Sequence, residues 1–298
     1  MVKNIVPVVF TFDKRIVLGA AVAIKSLLDN AKDTTVYDIR ILHSDLSLQD
    51  QKAFSSMVKN SRHTIAFHYI DKHIFKGVKK NHKSWTEIVY YRMFISEVIP
   101  EYEKAIYSDV DVFFKGDLSY VYNTNVDKYE LGAVAAEINS KDMVGHKYFP
   151  ENKNKFIFWS GFLLLNLKKL REENFFKKFM KTAMDFKSRL KYFDLDVINI
   201  TCDNIKALPF SYCVLETIYV FNKLSDSKDY RYIKNIYSDK DLLAAKKNPV
   251  IIHYAGQLGK PWRRKHIPQY YLNYMNSIPK KLRRFTLRDI RKRFFSKV

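Results

Sequence analysis

"AIYSDVDVFFKGDL", residues 105–118, is an apolar, β-rich run interrupted by Asp109 and Asp111. Carboxylates are costly at the buried end of a strand unless something compensates their charge. On a strand, residues i and i+2 point the same way, so the two aspartates are expected to project together, with Val110 facing the other side. In an open α/β sheet, ligands bind beyond the carboxyl ends of the strands. Two convergent carboxylates there suit a hard divalent cation, Mg²⁺ or Mn²⁺, that also takes phosphate oxygens. A bare D-x-D is also frequent by chance, and turn or capping aspartates are the alternative reading.

The segments around this stretch alternate. Strands are expected at 6–12, 36–42, 64–70 and 104–110, with helical patterns at 16–30, 47–60 and 84–98 between them. This spacing predicts βαβ units: an α/β fold with one Rossmann-like sheet flanked by helices. Pro7 objects mildly, because it removes one ladder donor. Further strands are expected at 130–138, 161–167 and 248–254, a long helical region at 168–191 and a short helix at 194–203. Residues 223–247, rich in lysine, read as surface loop with a short helix.

With 298 residues the chain can bury a large core. No run is long and apolar enough to cross a membrane. "KRIVLGAAVAI" (14–24) reads as a core helix rather than a signal peptide. Cys202 and Cys213 have no C-x-x-C partner and fit buried, reduced thiols. The net charge is +21, and half of the excess lies in residues 261–298, which hold twelve Lys or Arg against one acid. There Leu287, Ile290, Phe294 and Val298 fall on one helical face, ringed by Arg288, Arg291, Lys292, Arg293 and Lys297. That pattern is a basic amphipathic helix suited to an anionic membrane surface. Nucleic acid is not expected as a partner, because no recognised nucleic-acid motif accompanies the charge.

A second chemical element is "VIIHYAGQLGKPW" (250–262). His253 ends an apolar strand, Gly256 and Gly259 allow backbone to approach a phosphate, and Lys260 adds a point charge. His253 can complete a metal site with the aspartates, imidazole suiting Mn²⁺ better than Mg²⁺.

Six ordered blocks carry a resemblance: "VVFTFD", "IVYYRMF", "IYSDVDVFF", "FWSGFLLLNLKKL", "FDLDVIN" and "HYAGQLGKPW". Over most of residues 5–262 the chain resembles the family 8 glycosyltransferases, retaining enzymes with a GT-A fold, particularly the bacterial lipooligosaccharide galactosyltransferase group. The resemblance implies a GT-A catalytic domain at 1–262 followed by a basic tail at 263–298. It implies Mn²⁺, with Mg²⁺ as the alternative, held by Asp109, Asp111 and His253. It also implies a UDP-glucose or UDP-galactose donor. Thr11, Phe12 and Asp13 match the nucleotide-facing turn, and Val110 belongs to the same binding set. Arg92 matches the arginine contacting donor sugar and phosphates, and Gly256 and Lys260 match the diphosphate-binding positions. Asp194 matches an acid that binds the sugar hydroxyls, with Asp196 following it in the motif.

Three positions depart from the family pattern. Leu195 replaces a glutamine sometimes considered as a nucleophile, and it cannot attack. Trp159 replaces an asparagine beside the sugar. Ile16 replaces an aromatic that often stacks on the base. The implied activity is transfer of a hexose to a lipopolysaccharide or lipooligosaccharide acceptor on the inner, cytoplasmic face of the membrane. The alternatives are a protein or other glycan acceptor, or a binding protein whose catalytic site has decayed.

Overall fold

The computed structural model describes residues 4–80 and 86–295. The expected alternation winds into a parallel half-sheet. β1 (Asn4–Thr11) lies between β2 (Thr35–His43) and β4 (Lys104–Ser108), and β3 (Thr64–Tyr69) flanks β2, all parallel. β6 (Leu131–Ile138), β7 (Phe156–Asn166) and β8 (Ile205–Leu208) extend it to seven strands in the order β3-β2-β1-β4-β7-β6-β8. β7 runs antiparallel to both β4 and β6, making the sheet mixed. Pro7 is tolerated because the ladder with β4 begins only at Val8.

The central strands of this sheet are buried on both faces, while the edge strand β3 is only partly covered. Side chains alternate between two cores: Val8, Phe10 and Ile106 enter one, while Val9, Ala105 and Tyr107 enter the other. The helix Val17–Asp29 belongs to the first, and its Gly19 leaves room for the fully buried ring of Trp262.

A second, three-stranded sheet joins β5 (Val112–Phe114), β10 (Ile251–His253) and β9 (Val214–Leu215). β4 therefore stops at Ser108, two residues short of the expected end, and Asp109–Asp111 form the crossing from the large sheet to the small one. The aspartates do not share a strand, so the alternation argument fails for them. Their convergence comes from the crossing itself.

Other expectations shift for local reasons. Of the helix expected at 84–98, residues 84 and 85 lie outside the described residues. The rest is mainly a 3₁₀ run, Glu87–Phe94, closed by one α-turn, Ile95–Val98. Four consecutive buried residues, Tyr90 to Met93, override the amphipathic period there. The region 168–191 holds two helices, Leu167–Glu172 and Phe175–Asp185, split at Asn174 in a left-handed conformation (φ 58°) that asparagine tolerates. Residues 223–247 are more helical than expected, with Tyr230–Ile233 and Asp239–Lys247.

The largest difference concerns the tail. Tyr271, Met275, Ile278 and Leu282 enter the same core as β1, and the rings of Tyr270 and Tyr274 pack edge-on against Phe113. Arg284 pairs with the buried Asp50. Packing therefore does not change at residue 262, and the chain through Asp289 is built into the domain. Only part of the final helix, Leu287–Phe295, stands out: Leu287, Ile290 and Phe294 are exposed, by 78%, 40% and 69%. Val298 lies outside the described residues. Among the described residues no helix is long and apolar enough to cross a membrane.

Candidate active site

Register brings the two chemical motifs together. The Asp109 amide donates to the Gly161 carbonyl (2.8 Å), extending the β4–β7 ladder by one bond before the chain turns away. In the small sheet, His253 on β10 stands opposite Val112, and the Tyr254 amide donates to the Asp111 carbonyl (2.9 Å). One ligand atom each from Asp109, Asp111 and His253 therefore falls within 4.8 Å of the others. His253 Nε2 lies 3.8 Å from Asp109 Oδ2 and 3.5 Å from Asp111 Oδ1. Two carboxylates and an imidazole at this spacing fit a divalent cation of the Mn²⁺ type.

Cations and donors surround the cluster. Arg92, 7% exposed, bonds Asp109 Oδ1 (3.0 Å) through Nη2, while its Nη1 meets Asp194 Oδ2 (3.1 Å) and the Ser160 carbonyl (2.6 Å). Burial works against its charge, but Asp109 and Asp194 keep the guanidinium firmly protonated. Burial pushes Asp194 up to about 6, with Arg92 and a 2.7 Å bond from the Ser160 hydroxyl holding it down. Lys260 pairs with Asp111 and donates to the Tyr254 carbonyl (3.0 Å). Burial draws its ammonium down to about 8; Asp109 opposes that fall, while Arg263, Lys292 and Arg264 add to it.

The structure places most of the anticipated residues here and sets some aside. Thr11 Oγ1 reaches the Tyr107 hydroxyl (3.3 Å), one step from Asp109. Asp13 is paired with Arg15 (2.5 Å), which continues to the Thr86 hydroxyl (3.0 Å). The side chains of Phe12 and Val110 are buried in the core, Phe12 against Phe54, so only their backbone is left for a ligand. Gly256 has φ +97°, a conformation that justifies glycine, and Gly259 has φ +66°. Trp159 is half-buried with its ring 6.1 Å from that of Phe210. Asp196 is occupied differently from its neighbour Asp194. Its Oδ2 accepts from the Lys191 (2.6 Å) and Tyr192 (2.7 Å) amides, closing the turn that carries Phe193 into positive φ (49°). That is a structural task for a 2% exposed carboxylate.

Four residues were not singled out from the sequence. Tyr107 donates to Asp109 Oδ1 (2.5 Å) while its ring lies under the Arg92 guanidinium at 4.5 Å. Ser160 binds Asp194. Cys213 Sγ lies 3.4 Å from His253 Nδ1, on the side of the ring away from the aspartates. At Gly161 an added Cβ would lie 2.6 Å from His253 Cε1 and 3.0 Å from Asp109 Oδ2. Three of these sit inside the quoted motifs, which was the available signal. Cys213 had none, because its partner is 40 residues away.

The sequence profile described as glycosyl transferase family 8 matches residues 7–266. A lipopolysaccharide 1,2-glucosyltransferase of Escherichia coli is 25% identical over 255 residues, 84% of this chain and 71% of that protein. A lipopolysaccharide 1,3-galactosyltransferase of Salmonella typhimurium is 24% identical, covering 91% of this chain and 78% of that protein. Among solved structures, the galactosyltransferase LgtC in complex with donor and acceptor sugar analogs superposes with a TM-score of 0.74 at 21% identity, over 93% of this chain and 99% of that one. The bifunctional WbbM superposes with 0.75 at 21% identity; its match covers 97% of this chain but only 52% of WbbM, about half its length. These similarities support the GT-A architecture described above, and with the profile match over most of its length the chain belongs to glycosyl transferase family 8.

Proposed function

We propose that the protein transfers a hexose, glucose or galactose, from a UDP-sugar to a lipopolysaccharide or lipooligosaccharide acceptor with retention of configuration, using Mn²⁺. The observation that carries this reading is the convergence of Asp109, Asp111 and His253 beside Lys260 and the Arg92–Asp194 pair. Asp109, Asp111 and His253 would hold the cation, which supplies charge stabilisation for the leaving diphosphate. Lys260 adds a positive charge on the same side. Its bond to Asp111 is exchanged for one to phosphate, and its second bond, to the Tyr254 carbonyl, keeps it oriented. Arg92, locked by four acceptors including the Val89 carbonyl (2.9 Å), presents a fixed charge between the diphosphate and sugar ends. Asp194 accepts sugar hydroxyls through the capacity that Arg92 and Ser160 leave free.

Leu195 cannot act as a nucleophile, and Asp196 is bound to two amides. Front-face attack, with the leaving phosphate taking the acceptor proton, is the mechanism these side chains leave open. The test is release of UDP from a panel of UDP-sugars with and without Mn²⁺. Metal-dependent turnover of UDP-glucose or UDP-galactose is expected and names the donor; no turnover of any UDP-sugar with any glycan acceptor would overturn the assignment in favour of a binding protein.

The lipid-linked acceptor fits the exposed face of the last helix. Leu287, Ile290 and Phe294 face solvent among Arg288, Arg291, Lys292 and Arg293, suited to the inner leaflet, where each nearby cation contributes about 1 kcal/mol. Because Ile278, Leu282 and Asp289 are buried, the test changes only exposed side chains and leaves the chain intact. The triple change Leu287→Ser, Ile290→Ser, Phe294→Ser should cut sedimentation with anionic vesicles sharply while UDP release to a soluble acceptor persists. Undiminished vesicle binding would reject the membrane role.

A further inference from the structure

The final helix is joined to the donor loop by a buried ion pair. Asp289 is 1% exposed, although it is the only acid in the strongly basic segment after residue 260. Its Oδ1 accepts from Arg263 Nε (2.5 Å). Its Oδ2 accepts from the Thr286 amide (2.8 Å) and hydroxyl (2.7 Å), and Thr286 Oγ1 takes the Asp289 amide in return (3.2 Å). One carboxylate therefore starts the helix and fastens it to Arg263. Arg263 closes a 3₁₀ turn, Pro261–Arg263, and its amide donates to the Lys260 carbonyl (2.9 Å).

The neighbouring arginine acts in the opposite direction. Arg264 bonds the buried Glu216 (2.8 Å) and the Leu258 carbonyl (3.0 Å), tying the loop to the helix Glu216–Val220. Just before them, Trp262 is fully buried against Gly19. The turn that carries Lys260 is thus anchored at three points, and its outward anchor is Asp289. A carboxylate that only capped a surface helix would gain nothing from full burial, since desolvation is costly unless a charged partner compensates. Here the burial is compensated by a residue three positions from Lys260.

We propose that Asp289 is a positioning residue for the diphosphate-binding loop: through Arg263 it fixes the turn that sets Lys260 beside Asp111, making the C-terminal helix part of the donor site. This rests on the reading of Lys260 as a diphosphate ligand. A bilayer bearing on the exposed apolar face of the same helix would press on this seat.

The experiment measures UDP binding by calorimetry with Mn²⁺ present, on full-length protein, for wild type, Lys260→Met, Asp289→Asn and the double variant. Asp289→Asn keeps the shape and leaves an oxygen for Thr286, so folding is checked by thermal melt, with the neutralised pair Asp289→Asn/Arg263→Met as a second variant. The expected result is weakening by Asp289→Asn of roughly tenfold, the low end for losing an outer-shell partner. The double variant with Lys260→Met should bind no worse than Lys260→Met alone, because residues acting through one group are not additive. Wild-type-like UDP affinity in both folded Asp289 variants overturns the proposal, and so does a fully additive double variant. If wild type does not bind UDP, or Lys260→Met binds as well as wild type, it is the reading of Lys260 that fails.

Discussion

Asp111→Ala and Asp109→Ala are each expected to yield a folded protein whose metal-dependent UDP release falls by roughly 10²-fold or more, the scale of losing a principal electrostatic stabiliser of the reaction. The two should differ in stability. Asp111 makes its ion pair with Lys260, which keeps the Tyr254 carbonyl when the carboxylate is removed. Asp109 holds more: the Arg92 guanidinium and the Tyr107 hydroxyl, while His253 is shared by both carboxylates. Removing it leaves Arg92 with Asp194 and the Ser160 carbonyl, so the buried charge is not orphaned, but the Tyr107 hydroxyl loses its charged acceptor and keeps only the 3.3 Å contact with Thr11 Oγ1. A buried hydrogen bond to a charged acceptor contributes about 1.5–3 kcal/mol, so Asp109→Ala, which loses those from Arg92 and Tyr107, should melt below Asp111→Ala, and Asp109→Asn should recover part of the difference. Mn²⁺ binding followed by electron paramagnetic resonance gives a readout independent of turnover. Full turnover in either alanine variant at saturating metal would remove the cluster from the reaction.

How much of this site the sequence revealed depends on the range of each interaction. The parallel half-sheet was legible because short β-rich runs alternate with helical patterns, a pattern that survives without knowledge of neighbours. Asp109, Asp111 and His253 were legible as metal-ligand types at strand ends, although the reason given for their convergence was wrong. They meet because the chain changes sheets between Ser108 and Val112, and a switch of pairing partner leaves no period to read. Arg92 illustrates the opposite limit: without the family resemblance it is one arginine in a helical pattern. Its importance lies in two acids 17 and 102 positions away.

How the tail packs was hidden for a related reason. Twelve cations in 38 residues read as a basic tail, yet the apolar residues between them, Tyr271, Met275, Ile278 and Leu282, enter the core. Composition averaged over the segment hid that spacing. The single acid, Asp289, was the clue that one face of the last helix is not for solvent.

Gly161→Ala is expected to disable the metal site by one methyl group. Gly161 is not among the positive-φ residues, so alanine meets no backbone penalty there and the effect is purely steric. The new Cβ would stand 2.6 Å from His253 Cε1, 3.0 Å from Asp109 Oδ2 and 3.3 Å from His253 Nδ1. None of these neighbours can retreat easily. The His253 ring is backed by Cys213 and is 7% exposed, while Asp109 is held by Arg92 and Tyr107. Overpacking of this kind costs about 1–3 kcal/mol, and a displaced imidazole should weaken Mn²⁺ binding by roughly 10- to 100-fold. Gly259→Ala is the instructive contrast. Its φ of +66° strains an alanine by about 1–2 kcal/mol, but nothing lies within 4 Å of the added Cβ. That variant should therefore lose stability and keep its metal affinity. If Gly161→Ala binds Mn²⁺ as tightly as wild type, the aspartates and His253 do not close on a common ion, and the convergence of the two motifs would then be packing rather than chemistry.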